Sequence, residues 1–164
     1  MTRFEASESI ERPAEEVYAF LADPRNEPAW LSQEQDAPLR AELSVEMLAG
    51  EPGRPGATHR RVSTRGGRRE EVEYRLAEAE RPRLLRYERL SGKGSTDRTF
   101  SMEGEDGATR LTLAQEYTPR GPLDRLVSKI VLRPTTGRLA CEGELHRIKA
   151  ALEDDPARIE PGAT

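Results

Sequence analysis

A chain of 164 residues has room for one modest hydrophobic core and not for two. Hydrophobic residues make up 35% of it and charged residues 34%, so most elements must turn one face to water, which disfavours a parallel sheet covered on both sides. The net charge is −4 and arginine is interleaved with acid, as in Arg68-Arg69-Glu70-Glu71, which leaves no basic stripe for nucleic acid. The lone cysteine, Cys141, excludes an internal disulfide and a multi-cysteine zinc site. His59 and His146 lack metal-ligand spacing, so no metal or cofactor is assigned. Met1-Thr2-Arg3-Phe4-Glu5 carries no signal-like apolar run, and no segment approaches the ~18–20 apolar residues that span a bilayer. A cytoplasmic protein is expected.

Phe4, Ala6, Glu8 and Ile10 alternate with Glu5, Ser7, Ser9 and Glu11, which predicts a strand with one acid, Glu8, on its inner face. Pro13 suits a first helical turn, Glu15 and Glu16 suit the positive end of a helix, and Val17, Phe20 and Leu21 give that helix an apolar face. Asp23-Pro24 stops it, and Asp23 can cap a second short helix that carries Trp30. After a polar connection around Pro38, Ala41, Leu43, Val45 and Met47 alternate with Glu42, Ser44 and Glu46 as a second strand. The stretch from Gly50 to Gly56, with Pro52 and Pro55, reads as a loop and a pocket rim. A third strand over Thr58–Arg65 is weakly patterned around Val62, which leaves open the side taken by His59, and Gly66-Gly67 matches a two-residue hairpin. Val72, Tyr74 and Leu76 mark the next strand, and Leu84–Leu90 the one after it. Gly92-Lys93-Gly94 turns the chain, Phe100 and Met102 mark another inner face, and Glu105-Asp106-Gly107 is a hairpin turn. Leu111, Leu113, Gln115 and Tyr117 line one face of the last strand.

Beyond Gly121-Pro122, Val127, Ile130, Pro134, Gly137, Cys141, Leu145, Ile148 and Leu152 recur at spacings of three and four. The stripe keeps one helical phase across the proline and predicts a single long helix lying against the sheet. Strands with one apolar face followed by such a helix make an α+β domain, residues 1–153, in which the helix covers a curved antiparallel sheet. Residues 154–164, with Pro156, Pro161 and Gly162 and only Ile159 large and apolar, are expected to form a flexible tail.

Four places carry a family likeness. They are Ile10-Glu11-Arg12-Pro13-Ala14-Glu15-Glu16-Val17-Tyr18-Ala19-Phe20-Leu21-Ala22-Asp23-Pro24 with Trp30 after it, Gly107-Ala108-Thr109-Arg110-Leu111-Thr112, Glu116-Tyr117, and the helix end from Leu145 to Glu153. Together they resemble the START-like SRPBCC superfamily, in particular its polyketide cyclase/dehydrase and lipid transport branch, over residues 3 to about 153. The resemblance implies a helix-grip fold: a bent antiparallel sheet of about seven strands around a long C-terminal helix, with two short helices between the first two strands. It also implies a cavity between sheet and helix for a hydrophobic small molecule. It describes the container and not the contents, because one fold hosts many activities.

Pro134 and Gly137 stand on the helix stripe where a packed core places Leu or Ile. The missing volume reads either as a cavity floor or as a gap filled by Arg138 or a neighbouring leucine. Cys141 reads as a small core residue with an unreactive thiol, and His146 as a surface histidine. On the inner sheet face, Glu8, Tyr74, Gln115 and Tyr117, with Tyr87, can supply the few polar groups that orient an apolar ligand. Phe100 and Met102 would form its wall and Trp30 its gate, or each is plain core. Arg60 and Arg98, in phase with Val62 and Phe100, are the alternative partners of Glu8. These residues point to a protein that binds a hydrophobic or amphipathic small molecule of lipid, polyketide or isoprenoid kind. One alternative is an aromatase/cyclase-type enzyme using Glu8, Tyr74 or Tyr117 as acid or base, although no motif marks a catalytic residue. Another is an interaction module resembling Hsp90-activator or ribosome-associated relatives, for which the mixed-sign exterior offers no clear patch.

Overall fold

The structure, a computed structural model, describes residues 2–31, 42–91, 95–131 and 134–154. β1 (Thr2–Ile10) leads to α1 (Ala14–Ala22), a 3-10 turn (Pro24–Asn26) and α2 (Pro28–Leu31). Then come β2 (Glu42–Ala49), β3 (Thr58–Arg65), β4 (Arg68–Glu80), β5 (Leu84–Arg89), β6 (Ser95–Glu105) and β7 (Ala108–Thr118), and finally α3 (Pro122–Val131) and α4 (Pro134–Glu153). The strands form one seven-stranded sheet in the order β1-β7-β6-β5-β4-β3-β2, with every neighbour antiparallel. A meander from β2 to β7 is thus completed by the first strand lying beside the last, which is the helix-grip arrangement.

Local chemistry explains the turns. Gly66 and Gly67 both take positive φ, 56° and 78°, the geometry of a two-residue hairpin between β3 and β4 that a side chain would resist. Asp23 stops α1 and caps the 3-10 turn, its Oδ1 accepting from the Arg25 amide at 3.0 Å. α1 buries Val17, Phe20 and Leu21 as its pattern requires, with Tyr18 beside them. α4 lies along β1 and β7 and buries Cys141, Leu145, Ile148 and Leu152, the second half of the predicted stripe. They meet Ile10, Leu85, Phe100, Leu111 and Leu113 in one core cluster, where burial of each large apolar side chain stabilises by about 1.5–3 kcal/mol.

The terminal helix departs from expectation. It is two helices, and Pro134 is the first residue of the second. Proline has no amide hydrogen and its ring collides with the carbonyl four residues earlier, so it opens a helix and does not sit inside one. Two positions of the stripe's first half stand outside the core: Val127 is 53% exposed and Pro134 is exposed. The connection around Pro38, the start of the second strand at Ala41, the Gly92-Lys93-Gly94 turn and the expected tail from residue 155 lie outside the described residues.

Candidate functional site

Strand register decides which side chains meet beneath α4. Residues directly opposite in an antiparallel pair share a face. His59 stands opposite Met47 and Tyr74, and Arg61 opposite Val45 and Val72, so β3 turns His59 and Arg61 inward. The inner face continues through the opposed pairs Leu76 with Tyr87, Tyr87 with Arg98, Arg98 with Gln115, and Gln115 with Phe4. Arg60 and Val62, expected inside, face out instead. Arg60 meets Glu73 at 3.2 Å and Glu46 at 3.9 Å, and Val62 lies between Ser44 and Glu71. A single valine in a strand of polar residues is too weak a signal to set the phase; pairing with the clearer β2 and β4 sets it.

This phase builds a buried polar cluster. Glu27, between the 3-10 turn and α2, reaches down to β3, where its Oε2 accepts from Arg61 Nη1 at 3.2 Å and its Oε1 lies 3.3 Å from His59 Nε2. The histidine contact is an electrostatic approach and not an aligned hydrogen bond, and His59 Nε2 has no hydrogen-bond partner. Tyr74 stacks on the imidazole at 5.3 Å, Tyr87 meets it edge-on at 5.8 Å, and the Tyr74 hydroxyl accepts from Arg61 Nη2. On the other side of the inner face, Glu144 of α4 accepts from Arg98 Nη2, from Trp30 Nε1 at 3.2 Å and from Gln115 Nε2 at 3.4 Å. The Arg98 guanidinium stands 5.3 Å from the Phe100 ring centroid, while its Nε is buried without a partner. Glu27, His59, Arg98 and Glu144 are all more than nine-tenths buried.

A charge in the interior is costly unless a partner of opposite charge stands beside it, and Glu27 and Arg98 each have one. Burial alone would raise the Glu27 carboxyl, but the contact with His59 and the charges of Arg61 and Arg98 more than offset it, so Glu27 lies below the usual carboxylate range. Burial would lower Arg98; Glu144 and Glu27 outweigh it and hold the guanidinium firmly protonated. The Tyr87 hydroxyl is pushed far up by burial and by Glu27, and it donates to the Leu21 carbonyl at 2.9 Å, so it fastens α1 to the sheet as a neutral group. Burial and Glu144 push the Cys141 thiol up to about 11, which disfavours its thiolate.

Of the residues singled out from sequence, Trp30, Tyr74, Phe100, Gln115 and Cys141 gather at this cluster. Met102 is on the same face further along, opposite Leu111, as buried wall. Glu8 is in inner phase but at the border of α4, 35% exposed and 3.9 Å from Lys149 Nζ, so neither Arg60 nor Arg98 is its partner. Tyr117 is drawn to α3, donating to Asp124 Oδ1 at 2.5 Å. Gly137 is no cavity floor, because a Cβ built there would stand 2.2 Å from the Phe4 ring: the glycine is the space that Phe4 occupies. Glu27, His59, Arg61 and Glu144 were not foreseen. A signal for Glu144 existed, since it lies three residues after Cys141 and directly before Leu145, on the buried stripe itself.

Beside Arg61, the inner-face residues Leu43, Val45 and Met47 of β2 are only half-buried, and from Pro134 to Ala140 only Gly137 of α4 is even half-buried. A separate surface groove of about 700 Å³ lies outside the sheet-and-helix space, between α1 and the β2–β3 loop, lined by Tyr18, Ala22, Arg25, Gly53, Arg54 and Arg81 among others. Its charged groups are already paired, Arg25 with Asp23, Arg54 with Glu51 and Arg81 with Glu15. Among the described residues no group of side chains is placed to hold a metal ion.

The family model for polyketide cyclase / dehydrase and lipid transport matches residues 1–153. The chain belongs to that family. With it comes the START-like SRPBCC superfamily, and solved structures of the same fold agree. A Chromobacterium violaceum protein is 19% identical with a TM-score of 0.68, covering 93% of this chain and 98% of its own. An Arthrobacter aurescens protein is 15% identical with a TM-score of 0.69, covering 99% and 92%. An aromatase/cyclase from a Streptomyces species is 20% identical with a TM-score of 0.58, covering 92% and 87%. At these identities the likeness establishes the fold alone. None of the curated protein sequences compared with the chain matches it.

Proposed function

We propose that this member of the polyketide cyclase and lipid transport family binds an amphipathic small molecule of lipid, polyketide or isoprenoid kind between the sheet and α4. The ligand's polar end would lie at the Glu27–His59–Arg61 side of the buried cluster, and its apolar body along Leu43, Val45 and Met47. The observation that carries this reading is a charged cluster on the inner face in which Arg98 Nε is buried without a hydrogen-bond partner and His59 Nε2 makes no aligned hydrogen bond to Glu27, next to apolar side chains that the protein itself only half covers. A buried donor without a partner costs about 1–3 kcal/mol, which a ligand acceptor would recover. Trp30, the only tryptophan, is hydrogen-bonded into the cluster and serves as a reporter. Titration with a long-chain fatty acid, an isoprenoid alcohol and a hydroxylated aromatic should give a saturable change in Trp30 emission with at least one of them. No saturable change with any of the three counts against the site.

The approach of Glu27 to His59 favours a second reading, an aromatase/cyclase-type enzyme in which His59 moves a proton and Glu27 orients the imidazole. The Streptomyces aromatase/cyclase shares the fold and supports the class without assigning these residues. The check is a pH–rate profile on a poly-β-ketone: its basic or acidic limb should disappear in His59→Gln, and an unchanged profile removes His59 from the chemistry.

A further inference from the structure

Among the described residues, α3 turns its apolar side to water. Leu123 is 79% exposed, Leu126 61% and Val127 53%, and Leu139 on α4 is 62% exposed. At roughly 100° per residue, Leu123, Leu126 and Val127 fall on one side of the helix. The neighbouring side is fixed to the sheet: the Asp124 carboxylate accepts from the Tyr117 hydroxyl at 2.5 Å and from the Arg120 amide at 2.8 Å. The remaining flank is basic. Arg125 and Lys129 lie one turn apart and are exposed, Arg120 precedes the helix, and among the described residues none of the three has a carboxylate within ion-pair distance. This basic, apolar surface belongs to a chain of net charge −4, so the rest of the molecule is more acidic than the average suggests.

We propose that α3 docks the protein onto an anionic lipid surface. Leu123, Leu126 and Val127 enter the acyl boundary while Arg120, Arg125 and Lys129 stay at the level of the phosphates. Charge selects this occupant over a second copy of the chain, because a two-fold contact through the same face sets basic flanks against each other, whereas anionic lipid complements them. No described helix is long and apolar enough to cross a membrane, so the contact is one of surface docking. Tyr117 shares the inner face with Gln115, so α3 leaves from the rim of the concave face and docking would bring that rim to the lipid. The proposal stands on exposure and charge and does not depend on what the concave face holds.

The test is co-sedimentation of the full chain with vesicles of phosphatidylcholine alone and of phosphatidylcholine mixed equally with phosphatidylglycerol. Binding is expected on the mixed vesicles only and should weaken as salt is raised. Leu126→Glu with Val127→Glu should reduce it by about tenfold or more, and Lys129→Glu by about fivefold, both with unchanged Tm because the sites are exposed. Equal binding to both vesicles, no binding to the mixed ones, or wild-type binding by the double variant overturns the proposal. Sedimentation velocity of the lipid-free protein covers the remaining occupant: a dimer dispersed by the same double substitution assigns the face to a second copy and overturns it as well.

Discussion

Glu144 accepts from Arg98, Trp30 and Gln115 at once, so its loss strands a buried guanidinium. Glu144→Ala is expected to destabilise the fold by about 3–5 kcal/mol in denaturant unfolding. Combining Glu144→Leu with Arg98→Met should recover most of that, since an apolar pair of similar volume carries no desolvation cost. If the double variant is no better than Glu144→Ala, the pair is not the coupled unit described. Glu27 makes a different prediction. Its folded-state carboxyl lies below the ordinary 4.5, so the ionised form adds stability that is present above that value and is lost as pH falls through the lower folded-state value. Glu27→Gln should therefore flatten the loss of stability below about pH 4.5, measured by denaturant unfolding across the acid range. An acid limb as steep as the wild type's would show that His59 and Arg61 do not hold the carboxylate. These residues were hard to read from sequence because an apolar search passes over a charged residue whose partner is remote in the chain. Glu144 and Arg98 are 46 positions apart and become a pair only when α4 lies against the sheet.

At the scale of elements, what was legible followed the strength of local pattern. β1, β4 and β7 were read with the correct inner face, because each carries several apolar residues at period two. β3 was read one residue out of phase, because Val62 is its only large aliphatic residue. In the terminal helix, Cys141, Leu145, Ile148 and Leu152 were read correctly, while Val127 and Pro134 belonged to a continuous phase that the start of α4 at Pro134 ends. Gly137 illustrates the same limit: a small residue on a stripe signals missing volume but not what fills it. With Phe4 against it, Gly137→Ala is expected to destabilise by about 1–3 kcal/mol through overpacking, and Phe4→Leu in the same chain should relieve part of the loss. Thermal unfolding of the single and the double variant checks this, and a neutral Gly137→Ala would mean that the Phe4 ring moves aside freely.

For the whole molecule, the strand, short helices, meander and final helix could be read in order because turns and alternation are local features, and the family match over residues 1–153 agrees with them. The contents of the concave face could not be read in the same way, since they depend on register across five strands and on two helices that lean onto them. What emerges is a helix-grip protein with a charged interior, where the family resemblance implied a cavity for a hydrophobic molecule oriented by a few inward groups such as Glu8, Gln115 and the tyrosines. Native mass spectrometry of the protein purified from its own host, beside an Arg61→Met variant, tests the binding claim most directly. The account predicts a discrete added mass of an amphipathic small molecule on the wild type, with occupancy about tenfold lower or less on the variant once a charge-assisted hydrogen bond is lost. A wild-type protein that carries no added mass, or a ligand held equally by both, would contradict it.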